Sequence, residues 1–183
     1  MSDKRENSIE ISKADFKKMG YELIDTISDF FDEISEKPVT TNKTPQQLQK
    51  VLGNASLPKN GLPAGKLISS ASKLLFDNSL FNGHPKFFGF ITSSATPIGA
   101  LADLLASSVN PNVGGQILSP MATEIEKQTI KWLAEFIGVS PTYGGVLVSG
   151  GNMANFTAFL AARTAKAPKN IKEDGLSSAS KQL

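Results

Sequence analysis

The chain has no cysteine. That absence excludes disulfides, thiolate metal sites and cysteine nucleophiles, and it fits a reducing compartment. No run approaches the roughly 18 apolar residues that cross a bilayer. The opening "MSDKRENSIEISKADF" lacks the apolar core of a secretory signal. A cytoplasmic location is therefore expected, with no membrane partner. Net charge is also scarce: 19 basic and 17 acidic residues leave +2. A nucleic-acid footprint needs far more. Neither a Walker A loop nor G-x-G-x-x-G spacing occurs, so the common nucleotide cradles are not supported.

What is present is ordinary for a soluble globular chain. Hydrophobic residues make up 40% and charged residues 20% of 183 positions, enough for one domain with a core. Charge is uneven. Residues 1–40 hold ten acidic and six basic side chains, read as solvated helix faces.

Residues 1–12 are polar and read as loose. From Ala14 to Glu36 the apolar groups Phe16, Met19, Leu23, Ile27, Phe30, Phe31 and Ile34 recur at gaps of three and four. That spacing predicts one amphipathic helix, ended by Pro38. Its stripe has little nearby to cover it, so it must dock on the body or on a partner subunit. The segment from Lys37 to Gly65 carries four prolines and reads as extended, with a short helix near Gln46–Leu52. A helix over Lys66–Phe76 follows from Leu67, Ile68, Ala71, Leu74 and Leu75.

Next comes "NGHPKFFGFITSSATP", a turn dense in aromatics. Pro97 at N1 with Thr96 as N-cap starts a helix that Asn110-Pro111 stops. "SPMATEIEKQTIKWLAEFIG" predicts another. Ser119 caps it, Glu124 and Glu126 favour its positive end, and Gly138 closes it. Met121, Ile125, Trp132, Leu133, Phe136 and Ile137 are its expected buried side. A loop, a strand at Val146–Ser149 and a helix at Asn152–Arg163 complete a helix–strand–helix run. Such a run suggests an α/β layer with a mostly parallel sheet. The chain supplies no clear partner strands and a polar, serine-rich tail, so it reads as stopping in mid-fold.

The strand and helix meet at Ser149-Gly150-Gly151-Asn152. A helix N-terminus leaves about four N–H groups unpaired and carries partial positive charge. Both favour a phosphate. The glycines permit a sharp turn and close approach. Asn152 can cap the helix or donate to a phosphate oxygen, and Ser149 and Asn155 are nearby polar groups. Spacing alone leaves two readings open, a phosphate cup and a tight connection that binds nothing.

Three ordered stretches, "HPKFFGFI", "SPMATEIEKQTIKWLAEFIG" and "GVLVSGGNMANFTAFLAAR", resemble the group II pyridoxal-phosphate-dependent decarboxylases. That family includes the aromatic-amino-acid, glutamate, histidine and diaminobutyrate decarboxylases. The likeness runs from Phe16 to about Leu176 and fits the N-terminal portion of the family. It implies fold type I, the α/β aspartate-aminotransferase-like architecture, here incomplete. It also implies pyridoxal 5′-phosphate as cofactor, an amino acid as substrate, and a homodimer with the active site at its interface. Residues 1–80 would be a helical segment wrapping the other subunit. Residues 81–183 would begin the cofactor-binding large domain.

The resemblance assigns the cofactor phosphate to Gly151 and Asn152, with Gly150 making the turn. The family often has a small or hydroxyl residue where Asn152 stands, and asparagine also donates a hydrogen bond. Thr92 matches a residue on the substrate side, with Ser93 its neighbour. Phe87, Phe88 and Phe90 read as core, with a substrate pocket as the alternative. His84, the only histidine, reads as a structural turn residue. The family's ring-stacking histidine, its acidic partner for the pyridine nitrogen and its Schiff-base lysine all lie further along than this chain extends. Lys166, Lys169 and Lys172 sit in a polar tail that offers no desolvation, which a Schiff-base lysine uses. No catalytic residue and no metal is thus expected in these 183 residues, and the chain alone is expected to be inactive. Two alternatives are a non-catalytic homologue acting as an interaction module, and a carbon–carbon lyase of the same fold resembling sphingosine-phosphate lyase.

Overall fold

A computed structural model describes residues 10–167 and 171–175. The expectation for residues 1–9, Lys169 and the end of the tail lies outside the described residues. Seven helices occur among them: α1 (Lys13–Glu33), α2 (Pro45–Leu52), α3 (Ala64–Asn78), α4 (Pro97–Val109), α5 (Pro120–Phe136), α6 (Gly151–Lys166) and α7 (Ile171–Asp174). The chain divides into two units, residues 1–107 and 108–183.

In the first unit, α1 begins at Ser12, whose Oγ accepts from the Asp15 N–H at 3.0 Å and donates to the Asp15 carboxylate at 2.6 Å. The helix runs through Gly20 without a break. Its stripe docks within the same chain, one of the two outcomes the sequence left open. Met19, Leu23, Ile27, Phe30, Phe31 and Ile34 are half-buried, and α1 packs on α3. Phe30 stacks on Phe76 at 4.4 Å between ring centres and meets the buried Phe81 at 5.1 Å. Phe16, one turn from the start, stays exposed.

Gly65 lies against Met19 near the two helix starts, while Phe76 meets Phe30 near the two ends. The helices α1 and α3 therefore run parallel. A parallel pair forces the connection to travel back from Glu33 to about Met19, roughly 20 Å along α1. The proline-rich segment does this. It carries α2, begun by a capping box in which Thr44 and Gln47 exchange hydrogen bonds. On α3, Ile68, Leu74 and Phe76 are half-buried, whereas Leu67 and Leu75 are exposed.

The turn after α3 is tied back to the end of α1. His84 is 4% exposed. Its Nε2 lies 2.9 Å from the Lys37 carbonyl oxygen, and its Nδ1 accepts from the Lys86 N–H at 3.0 Å. The neutral tautomer with hydrogen on Nε2 satisfies both partners. The structural reading of His84 holds. Phe81 N–H adds a bond to the Val39 carbonyl at 3.0 Å.

In the second unit, Asn110 takes φ 44 and ends the turn after α4 before Pro111. Ser119 occupies the N-cap of α5, but its side chain makes no cap bond. Its carbonyl instead accepts from Thr123 N–H and Thr123 Oγ. The first turn of α5 contains no acidic residue. Glu124 and Glu126 come a turn later, so the expected dipole role is not theirs. The far end is as anticipated. Gly138 is left-handed at φ 75. Its N–H bonds to the Glu135 carbonyl at 3.1 Å, and Val139 N–H to that of Ala134 at 2.8 Å, a Schellman motif.

Two expectations fail in this unit. Met121, Ile125, Trp132, Leu133, Phe136 and Ile137 are exposed, not buried. Their spacing marks a face suited to burial, and no described residue covers it. Val146–Ser149 is not a strand. A strand exists only through ladder bonds to a neighbour, and no described segment supplies one. The tail, read as purely polar, contains the short α7 with Ile171 buried.

Candidate cofactor site

The Ser149–Asn152 turn joins the segment before it to α6 in the second unit. The helix starts one residue earlier than expected, so Gly150 is the N-cap and Asn152 lies inside the first turn. Asn152 does not cap the helix, and no side chain does. Gly150 has φ 156 and ψ 176, a region that side-chain-bearing residues avoid. A Cβ on Gly150 or Gly151 would meet nothing within 4 Å, so the space before the helix is open. Gly150, Gly151 and Asn152 are exposed.

The electrostatics favour an anion. The sequence has no Asp, Glu, Lys, Arg or His between Glu135 and Arg163. The positive end of the α6 dipole is thus not offset by any charged neighbour along the chain. The first-turn N–H groups, an uncapped terminus and an open approach fit a phosphate group. Arg163 and Lys166 sit in the last turn of α6, where cations complement the opposite pole.

Behind the turn, α5 holds that segment at two points. The Glu126 carboxylate accepts from the Leu147 N–H at 2.9 Å. Gly145 lies so near Ile130 that a Cβ there would come 2.9 Å from Ile130 Cγ2. Sequence reasoning did not find Glu126, because a glutamate on a helix reads as solvated. Gly145 was a usable signal, since a glycine before an apolar run marks a close backbone approach.

Thr92 and Ser93 belong to the first unit. They are exposed in an irregular stretch that leads into α4. That stretch is anchored where Ser94 packs on Gly83; a Cβ on Gly83 would lie 3.2 Å from Ser94 Cβ. Thr96 caps α4 by accepting from Gly99 N–H at 3.2 Å. The aromatics before it are not core: Phe88 is 92% and Phe90 88% exposed. The Phe87 ring folds over Gly89, and Phe90 is left-handed at φ 61. A bulky residue in that region is a true outlier. The turn's geometry, and not burial, sets these rings. Among the described residues no acidic or histidine cluster could hold a metal ion.

Residues 45–183 match the family model described as the pyridoxal-dependent decarboxylase conserved domain. The chain belongs to that family. Its cofactor is pyridoxal phosphate. An aromatic-L-amino-acid decarboxylase from Bacillus atrophaeus is 32% identical over 165 residues, covering 90% of this chain and 34% of that protein. Two solved structures share the fold. The glutamate decarboxylase domain of a Vibrio parahaemolyticus diaminobutyrate-pyruvate transaminase and L-2,4-diaminobutyrate decarboxylase has a TM-score of 0.76 at 18% identity, over 93% of this chain and 38% of that one. Oryza sativa TDC, solved with PLP and tryptamine, has a TM-score of 0.73 at 23% identity, over 90% of this chain and 37% of that one. The fold is thus that of the type I PLP-dependent decarboxylases, and the chain spans about a third of the length of the relatives it matches. The helices here are part of that α/β architecture, whose sheet the described residues do not form. Among them no helix is long and apolar enough to cross a membrane.

Proposed function

We propose that this chain is the N-terminal part of a cytoplasmic, homodimeric, PLP-dependent amino-acid decarboxylase, and that the Ser149–Asn152 turn binds the phosphate of the cofactor. The observation that carries this is the uncapped start of α6, with open space before Gly150 and Gly151. Gly150 gives the turn its shape, the first-turn N–H groups of Gly151 and Asn152 donate, and the Asn152 amide adds a further donor. When bound, the cofactor supplies an electron sink for the carbon that loses carboxylate. Residues 1–80 wrap the second subunit, and residues 81–183 open the cofactor-binding domain. Thr92 and Ser93 face the substrate. The chain by itself is inactive, because the Schiff-base lysine is not among its residues.

The test is a pair of ligands without an aldehyde, which surface lysines cannot capture: pyridoxamine 5′-phosphate and pyridoxamine. The intact chain should bind the phosphorylated member more tightly by at least tenfold, the scale of one or two charge-assisted hydrogen bonds. Equal binding of the two would sink the phosphate assignment.

One observation favours a second reading. The apolar faces of α4 and α5 are exposed, as suits a non-catalytic module that pairs with a full-length homologue. Co-expression with such a homologue and recovery of a stoichiometric complex would favour it. Recovery of the chain as a lone monomer would count against it.

A further inference from the structure

We infer that Glu126 is a positioning residue for the phosphate turn, with Ile130 and Gly145 setting its register; the inference rests on the reading of Ser149–Asn152 as the phosphate site. The argument is one of matching lengths. Glu126 and Ile130 are four residues apart on α5, about 6 Å along the helix axis. Their contacts, Leu147 and Gly145, are two residues apart on the segment before the turn, which can span at most about 7 Å. A two-residue step of chain can therefore reach both contacts. The order is also reversed: Glu126 takes Leu147 and Ile130 takes Gly145, so the segment runs antiparallel to α5. A slip that brought Val146 to Ile130 would put a side chain where Gly145 already lies close, and would take the Leu147 N–H away from Glu126.

Leu147 stands three residues before Gly150. Fixing it leaves few free backbone dihedrals between α5 and the helix start. The position of the first-turn donors is then set by α5 and not only by the two glycines. A carboxylate suits the task. The Leu147 N–H has no ladder partner among the described residues, and an ionised acceptor gives a stronger bond than a neutral one. Glu126 is half-buried on the side of α5 that carries Ile130 and Ala134.

The test compares wild type with four variants of the full chain: Glu126→Ala, Glu126→Gln, Gly145→Ala, and Gly145→Ala combined with Ile130→Ala. The readout is the ratio of the dissociation constants for pyridoxamine and pyridoxamine 5′-phosphate, which isolates the phosphate. Far-UV dichroism confirms that helix content is kept. Glu126→Ala should cut the ratio roughly three- to tenfold, the scale of one ordinary intramolecular hydrogen bond transmitted to the turn. Glu126→Gln should keep at least the wild-type ratio, because the acceptor stays and a nearby negative charge goes. Gly145→Ala should cut the ratio, and removing the opposing methyls in the double variant should restore it. An unchanged ratio in Glu126→Ala and Gly145→Ala overturns the inference while leaving the phosphate site standing. An equal loss in Glu126→Gln and Glu126→Ala overturns it too, because the acceptor would not be the cause. A wild-type chain that binds both ligands alike overturns the phosphate site and this inference with it.

Discussion

Gly150 and His84 show how single residues hold backbone that the rest depends on. At φ 156 and ψ 176, Gly150 has a conformation that a Cβ penalises whatever the free space around it. We expect Gly150→Val to cost about 1–3 kcal/mol of local strain. The α6 start should shift as a result, and the preference for pyridoxamine 5′-phosphate over pyridoxamine should be lost. Equilibrium dialysis with both ligands checks this. His84 is a different case. It is buried and bonded on both ring nitrogens, to the Lys37 carbonyl and the Lys86 N–H. Replacing it by alanine strands a carbonyl and an N–H. We expect a loss of roughly 1–3 kcal/mol in the stability of the first unit, read as a lower urea midpoint. No change at that midpoint would mean the two bonds form equally well to water.

At the scale of elements, the first unit depends on one aromatic stack. Phe30 sits between Phe76 and Phe81 and joins α1, α3 and the following turn. Phe30→Ala should cost about 2–3 kcal/mol, below the value for a wholly buried phenylalanine because Phe30 is only half-buried. Amide exchange across α1 and α3 should quicken together. Exchange confined to α1 would show that the pair is not one cooperative piece.

Helices α1 to α6 were legible in the sequence to within a few residues, and α7 was not. Their signals are local: Thr44, Thr96 and Pro97 at starts, Asn110 and Gly138 at ends. What was not legible was long-range. Met121, Trp132 and Phe136 declare a buried face, but spacing cannot say which polypeptide buries it. Val146–Ser149 declares strand, but a strand needs a neighbour. Burial of the aromatic turn was misjudged as well: Phe88 and Phe90 are apolar, yet both are exposed. The turn that we propose for the phosphate was legible as a turn, because its glycines are adjacent in Ser149-Gly150-Gly151-Asn152. Its support from Glu126 crosses 21 residues and had no local mark.

For the molecule as a whole, the exposed large side chains of α4 and α5, from Ile98 to Phe136, exceed what a soluble monomer leaves in water. We expect the isolated chain to self-associate. Sedimentation velocity should show mass increasing with concentration, and a sharp melt from a clean monomer would contradict this. The proposed inactivity of the chain alone has its own check. Lys166 and Lys172 are exposed and lack the burial that tunes a Schiff-base lysine. Borohydride reduction with pyridoxal phosphate should label many lysines weakly. A single stoichiometric adduct would place a reactive lysine in this chain after all.

The parallel run of α1 and α3 also bears on how the protein is made. The bond from His84 to the Lys37 carbonyl joins positions 47 residues apart. At about 5–20 residues per second, a ribosome needs roughly 2–9 s to supply the second partner after the first. Throughout that interval α1 has left the exit tunnel with its stripe of Met19, Leu23, Ile27 and Phe30 unpaired. A helix synthesised first and docked last is a natural client for a chaperone acting on the nascent chain.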